Sequence, residues 1–192
     1  MKDAIAHWQR YWNYVMAAHR QTCPLIYASA LTRDCIDRGR CLDDGGAVCN
    51  DTPTTLSSGL VNVVNALAAV RRLVDEDRAC SLEELRAACR ENWQGHADLR
   101  RQVLDAPKWG NNDDQADAIY QELFQTYCDD VAAQINYLGQ PYDPSMLAIS
   151  THTPFGKACG ATPDGRFAGD PLADGVTSPS PGSDVCGPLA VL

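Results

Sequence analysis

The 192-residue chain is 45% hydrophobic and 21% charged, the balance of a folded protein rather than a disordered one. Sixteen Lys and Arg against 25 Asp and Glu leave a net charge of −9. With no basic cluster to neutralise phosphates, the chain is not a nucleic-acid binder. No apolar run approaches the ~20 residues needed to cross a bilayer, and the N-terminus has a helical period where a secretory signal is continuously apolar. No membrane association and a cytoplasmic location are the expectation. Nine cysteines are many for this length, but none forms a Cys-x-x-Cys pair or flanks a His at zinc-ligand spacing. Reduced, mostly buried thiols in a reducing compartment are expected, with neither a disulfide framework nor a metal site.

Residues 3–20 place Ile5, Trp8, Trp12, Val15, Met16 and His19 at helical spacing, which predicts an amphipathic helix interrupted by Pro24. A second helix is predicted over about 28–38, ending at Gly39, and a loop over residues 39–51. In 57–74, apolar residues lie on so many sides that a helix buried nearly all round is predicted. Ser81-Leu82-Glu83-Glu84 has the capping-box pattern and opens a helix whose apolar stripe is Leu82, Leu85, Cys89 and Trp93, closed by Gly95. Asn111-Asn112-Asp113-Asp114 precedes a long helix running from Ala116 to Leu138, with Pro141 and Pro144 beyond it. Met146–Thr151 is the one convincing strand. Half of the 14 glycines fall in residues 156–188, so that stretch is loop and turn, with Pro163-Asp164-Gly165 the clearest turn.

Several residues invite a chemical role that a structural one explains better. Asp113 and Asp114 resemble an acid/base pair, but capping of the following helix accounts for both. Arg166, after the Pro-Asp-Gly turn, is a carbonyl clamp or ion-pair partner before it is an anion grip. His7, His19 and His96 sit on helices or at their ends and read as solvated or structural. The glycine-rich tail lacks the Gly-Lys-Ser/Thr end of a phosphate loop.

Four stretches carry a family resemblance. GKACGATPDGRFAGDPLADGVTSPSPGSDVCGPLAVL (156–192) resembles the G-x-x-x-G-A-T-P-D-G-R segment of glycyl radical enzymes, the pyruvate formate-lyase-like family. SALTRDCIDRGRCLDDGGAVCN (29–50), SSGLVNVVNALAAVRRLV (57–74) and APKWGNNDDQAD (106–117) resemble three further family segments, in the family's order. Cys49 stands where Tyr is usual, and Asn65-Ala66 where Asp-Ser is common. The ATPDGR and GPLAVL signatures are closer to the dehydratase and lyase branches than to pyruvate formate-lyase proper.

The resemblance implies an α/β fold: a mostly helical portion of a ten-stranded α/β barrel, from its C-terminal half and incomplete. It implies that residues 1–192 are part of a single such domain, truncated at both ends. Such enzymes cleave C–C or C–X bonds or dehydrate small polar substrates. A backbone glycyl radical in an R-V-x-G-Y-type motif takes hydrogen from a catalytic Cys in C-x-E-P, and the thiyl radical attacks the substrate. Neither motif occurs here, so no catalytic residue is assigned and the chain alone is expected to be inactive. Cys89-Arg90-Glu91 matches only C-x-E, within a capped helix, and Cys89 reads as a core cysteine. The radical is installed by an activating enzyme using S-adenosylmethionine and an iron–sulfur cluster, neither held by this chain. In relatives the strand before the ATPDGR segment lines the substrate cavity. Strand alternation turns either Ser150, His152 and Pro154 or Thr151, Thr153 and Phe155 to the substrate. The first set is preferred because His152 could hydrogen-bond a substrate hydroxyl or carboxylate, the alternative being a strand-end His satisfied by backbone groups. The implied partners are the activating enzyme, the rest of the barrel, a small-molecule substrate and a second full-length copy in a homodimer. The alternative is a non-catalytic truncated product or partner subunit that only binds a complementary chain.

Overall fold

A computed structural model describes residues 1–48, 54–56, 58–145, 150–175 and 177–191. The chain divides into two compact units, residues 1–56 with 125–145 and residues 57–124 with 146–192.

The first unit opens with α1 (Lys2–Thr22), which the 3–20 periodicity anticipates. Its stripe is not a core stripe, however. Trp8 is 56% exposed, whereas the polar Gln9 is buried. The expected 28–38 helix is two short ones, α2 (Ile26–Leu31) and α3 (Cys35–Arg38). Thr32 turns extended, its hydroxyl donates back to the Ala28 carbonyl, and Asp34 takes a left-handed φ of 72°. Gly39 closes α3 in the left-handed region, as a C′ glycine does. A single 3-10 turn at Leu42–Asp44 follows.

Two three-residue strands, β1 (Thr54–Leu56) and β2 (Asp143–Ser145), pair in parallel with Thr54 opposite Asp143. The expected strand at 146–151 is tested only at its last two residues. Residues 146–149 lie outside the described residues, and Ser150 and Thr151 are turn rather than strand.

The second unit is built on α4 (Leu60–Val70), which runs on as a π-helical turn over Arg71–Glu76. Its burial is one-sided: Val61, Val64, Ala68 and Ala69 are fully packed, but Val63 and Leu67 are 48% and 43% exposed. The prediction of burial all round fails because the polar Asn62 and Asn65 take inward positions instead. Helix α5 (Leu82–Arg90) starts at the capping box read from sequence: Glu84 N–H donates to Ser81 Oγ, and Ser81 N–H to the Glu84 carboxylate. Helix α6 (Ala97–Asp105) was not anticipated.

Helix α7 (Asp114–Ala132) ends six residues before its apolar period suggests. Ile135 and Leu138 lie beyond it, in a turn that the Asn136 side chain organises by accepting from Leu138 and Gln140 N–H groups. Helix α8 (His152–Ala158) occupies part of the stretch expected to be strand and loop. Two apolar cores form in this unit. One joins Leu60, Val61, Val64, Ala116, Tyr120 and Ala173; the other joins Ala69, Leu73, Leu85, Ala88, Trp93, Val103 and Ala106. No described helix is long and apolar enough to cross a membrane.

Candidate functional site

Three of the four recognisable segments meet in the second unit around a polar cleft of about 790 Å³. Helix α4 supplies Asn62 and Asn65, one turn apart and so on one face. Asn62 Nδ2 donates to Asp164 Oδ2 at 2.7 Å, while its Oδ1 accepts the Ala173 N–H at 2.7 Å. Asn65 Oδ1 accepts the Trp109 N–H at 2.9 Å and its Nδ2 donates to Ser180 Oγ at 3.1 Å. One helix turn thereby holds the Ala-Pro-Lys segment, the Pro-Asp-Gly turn and the C-terminal Ser-Pro segment. Both amides are almost fully buried, where an unmet polar atom costs about 1–3 kcal/mol.

The Pro163-Asp164-Gly165 turn forms as the sequence predicts. Gly165 has φ +94°, which strains any residue with a Cβ, and a Cβ there would also push the Leu104 side chain, 2.7 Å away at Cδ2, aside. Asp164 Oδ1 accepts from the Thr162 hydroxyl and the Arg166 N–H. Arg166 is the carbonyl clamp expected: Nη1 donates to Asp170 O at 2.6 Å, Nη2 to Gly160 O, and Nε to Thr162 Oγ1. Arg100 Nε reaches the Gly165 carbonyl at 2.8 Å and its guanidinium lies over the Phe167 ring. Trp93, itself at φ +63°, donates its indole N–H to the Arg166 carbonyl.

Lys108 is the least expected member. Its ammonium is buried and donates to the Val103 and Ala106 carbonyls at 2.6 and 3.1 Å. Burial pulls its pKa down to about 8, against the opposing pull of Asp164 and Asp105. Asn111 closes the cleft, accepting the Val185 and Cys186 N–H groups on Oδ1 and donating to the Ser183 carbonyl. Asp113 caps α7 through the Gln115 and Ala116 N–H groups, the role preferred from sequence. These side chains bind backbone and one another. The cleft is a clamp that fixes turns, and among the described residues no nucleophile is hydrogen-bonded to a base there.

The pocket residues read from sequence lie elsewhere. Ser150 is exposed in a turn, His152 is the first residue of α8, and Pro154 is exposed in its first turn. They are not an alternating strand face, because Pro154 sits in the first helical turn, where a missing N–H is harmless, and the chain has already coiled. His152 is half-buried and pairs with Asp174, Nδ1 to Oδ1 at 3.3 Å. None of the three lines the cleft. Cys89 packs against the second core, and burial, with Asp164 adding to it, pushes its thiol up to about 11. That is the behaviour of a core cysteine, not of a reactive one. Among the described residues no group of three His, Cys, Asp or Glu could hold a metal ion. Asn62, Asn65 and Lys108 were missed as site residues. Their signal was polarity on an otherwise apolar helix face and a Lys directly after Pro.

The pyruvate formate lyase-like family model matches residues 1–156. The chain is 37% identical to the indoleacetate decarboxylase of Tractidigestivibacter scatoligenes, over 96% of this chain and 24% of that one. It is 33% identical to the trans-4-hydroxy-L-proline dehydratase of Clostridioides difficile, over 92% of this chain and 22% of that one. The glycerol-bound B12-independent glycerol dehydratase from Clostridium butyricum superposes with a TM-score of 0.91 at 34% identity, covering 100% of this chain and 24% of that one. The chain thus spans about a quarter of the length of these relatives. With four motifs in order and the same fold along its whole length, the chain belongs to the pyruvate formate lyase-like family of glycyl radical enzymes.

Proposed function

We propose that the chain forms one section of the barrel of a glycyl radical lyase or dehydratase, an enzyme that cleaves C–C or C–X bonds or dehydrates a small polar substrate by radical chemistry. The radical glycine and the thiyl cysteine belong to other sections of that enzyme. An activating enzyme with S-adenosylmethionine and an iron–sulfur cluster installs the radical there, and the working enzyme is a cytoplasmic homodimer. The observation that carries this reading is the likeness, along the full chain, to a dehydratase of known structure. The role of this section is positional. The Asn62–Asp164–Arg166 clamp fixes the turn that follows α8, and α8 carries His152. Ser150, His152 and Pro154 are assigned to the substrate side, with His152, oriented by Asp174, the polar contact.

The test is turnover by the full-length polypeptide containing this chain, activated anaerobically and offered glycerol, 1,2-propanediol, trans-4-hydroxyproline and indoleacetate. Conversion of at least one, with KM raised about tenfold or more in His152→Ala at unchanged radical content, supports the reading; about 1.4 kcal/mol corresponds to that tenfold. An activated enzyme whose kinetics ignore His152→Ala removes the assigned contact. Failure to acquire a radical removes the reading as a whole.

A further inference from the structure

The contacts of Lys108 use up only part of its nitrogen. Lys108 follows Pro107 between α6 and α7 and is 8% exposed. Its Nζ donates to the Val103 carbonyl at 2.6 Å and the Ala106 carbonyl at 3.1 Å, and to no other acceptor among the described residues. An ammonium carries three N–H donors, whereas a neutral amine carries two and a lone pair. Two carbonyl acceptors match the neutral amine and leave its lone pair as the free direction. Burial favours that form and brings the pKa down to about 8, against the pull of Asp164 and Asp105. Near pH 7 such a nitrogen holds roughly a hundredfold more free amine than an exposed lysine at the ordinary ~10.4. Lys108 also belongs to the wall of the 790 Å³ cleft. Arg100 lines the same cleft and commits only Nε to a protein acceptor, the Gly165 carbonyl.

We propose that Lys108 is a carbonyl-capturing amine and that the cleft admits a small hydroxyaldehyde, which Lys108 holds as a protonated imine. The Nζ lone pair attacks the aldehyde carbon, a C–N bond forms, and the carbonyl π pair moves to oxygen, which takes up a proton. The carbinolamine then loses its hydroxyl as water and the nitrogen becomes an iminium. One amine, one aldehyde and one proton give one iminium and one water, with no oxidant, reductant or activated donor required. The iminium keeps one N–H for a backbone carbonyl, and its positive charge stays under the pull of Asp105 and Asp164. Arg100 offers its Nη donors to the aldehyde's hydroxyl. The ligand is small because so little of Lys108 is exposed that only a slim carbonyl reaches its nitrogen. Nothing in this capture depends on the radical chemistry proposed above, which uses other sections of the enzyme.

The test is reductive trapping of the 192-residue chain with glycolaldehyde and cyanoborohydride at pH 7, read by peptide mass spectrometry. The chain's other lysines, Lys2 and Lys157, are exposed and serve as internal references. Trapping should be at least about tenfold faster at Lys108 than at either, because restricted access slows capture without cancelling the excess of free amine. In concentrated urea, where all three lysines are exposed, the preference should vanish. Trapping at Lys108 no faster than at Lys2 and Lys157 under native conditions would overturn the proposal. So would a preference that survives in urea, since it would then belong to the local sequence and not to the cleft.

Discussion

Asn62 shows how much one side chain can carry. It is 5% exposed, gives Asp164 its amide donor and takes the Ala173 N–H, so Asn62→Ala orphans a carboxylate oxygen and a backbone donor together. A loss of about 2–4 kcal/mol in urea denaturation is expected, and a loss under about 1 kcal/mol would mean that the clamp is dispensable. Cys89 tests the chemistry of burial. Its thiol, pushed up to about 11, holds roughly a hundredfold less thiolate at pH 8 than one at the ordinary 9.0. Iodoacetamide should therefore alkylate the exposed Cys23 and Cys186 first and Cys89 among the last, as followed by peptide mass spectrometry. Lys108 gives stability a pH dependence. Its pKa is lowered to about 8, so above pH 8 the folded chain has shed a proton that the unfolded chain still binds, and stability rises with pH. Melting should climb relative to Lys108→Met between pH 8 and 9.5, and each kcal/mol corresponds to about 2–4 °C in a chain of this size.

Among the elements, those set by local chemistry were legible. The Ser81 capping box, the Asp113 cap and the Gly165 turn each need only neighbours in sequence, and each is found as read. Elements decided by distant packing were not. Helix α8 contains Pro154 and Gly156, which read as breakers. Yet Pro154 lies in the first turn, and Gly156 is buried where a Cβ would overlap the Asp170 carbonyl. The inward Asn62 and Asn65 of α4 face a network spread over more than 100 residues of sequence, which no helical period reveals. Helix α1 is the converse case: the period was right, but the aromatic stripe lies at the surface. Trp8 is 56% and Trp12 37% exposed, whereas Trp93 is 3% exposed. Acrylamide should quench Trp8 and Trp12 strongly and Trp93 weakly in single-tryptophan variants. Equal quenching of all three would contradict the described burial.

For the chain taken whole, the family and a mostly helical architecture were legible because motifs over most of its length survive as backbone requirements: left-handed glycines, capped helices and clamped turns. The strand geometry used to place Ser150, His152 and Pro154 was not legible, since Ser150 lies in a turn and His152 and Pro154 in a helix. The most direct measurement is electron paramagnetic resonance after anaerobic treatment with an activating enzyme and S-adenosylmethionine, on the 192-residue chain and on the full-length polypeptide containing it. A glycyl doublet from the full-length polypeptide and none from the chain alone is the expected result. A doublet arising from the 192 residues by themselves, or none from either, would contradict the assignment of this chain as a positioning section of a glycyl radical enzyme.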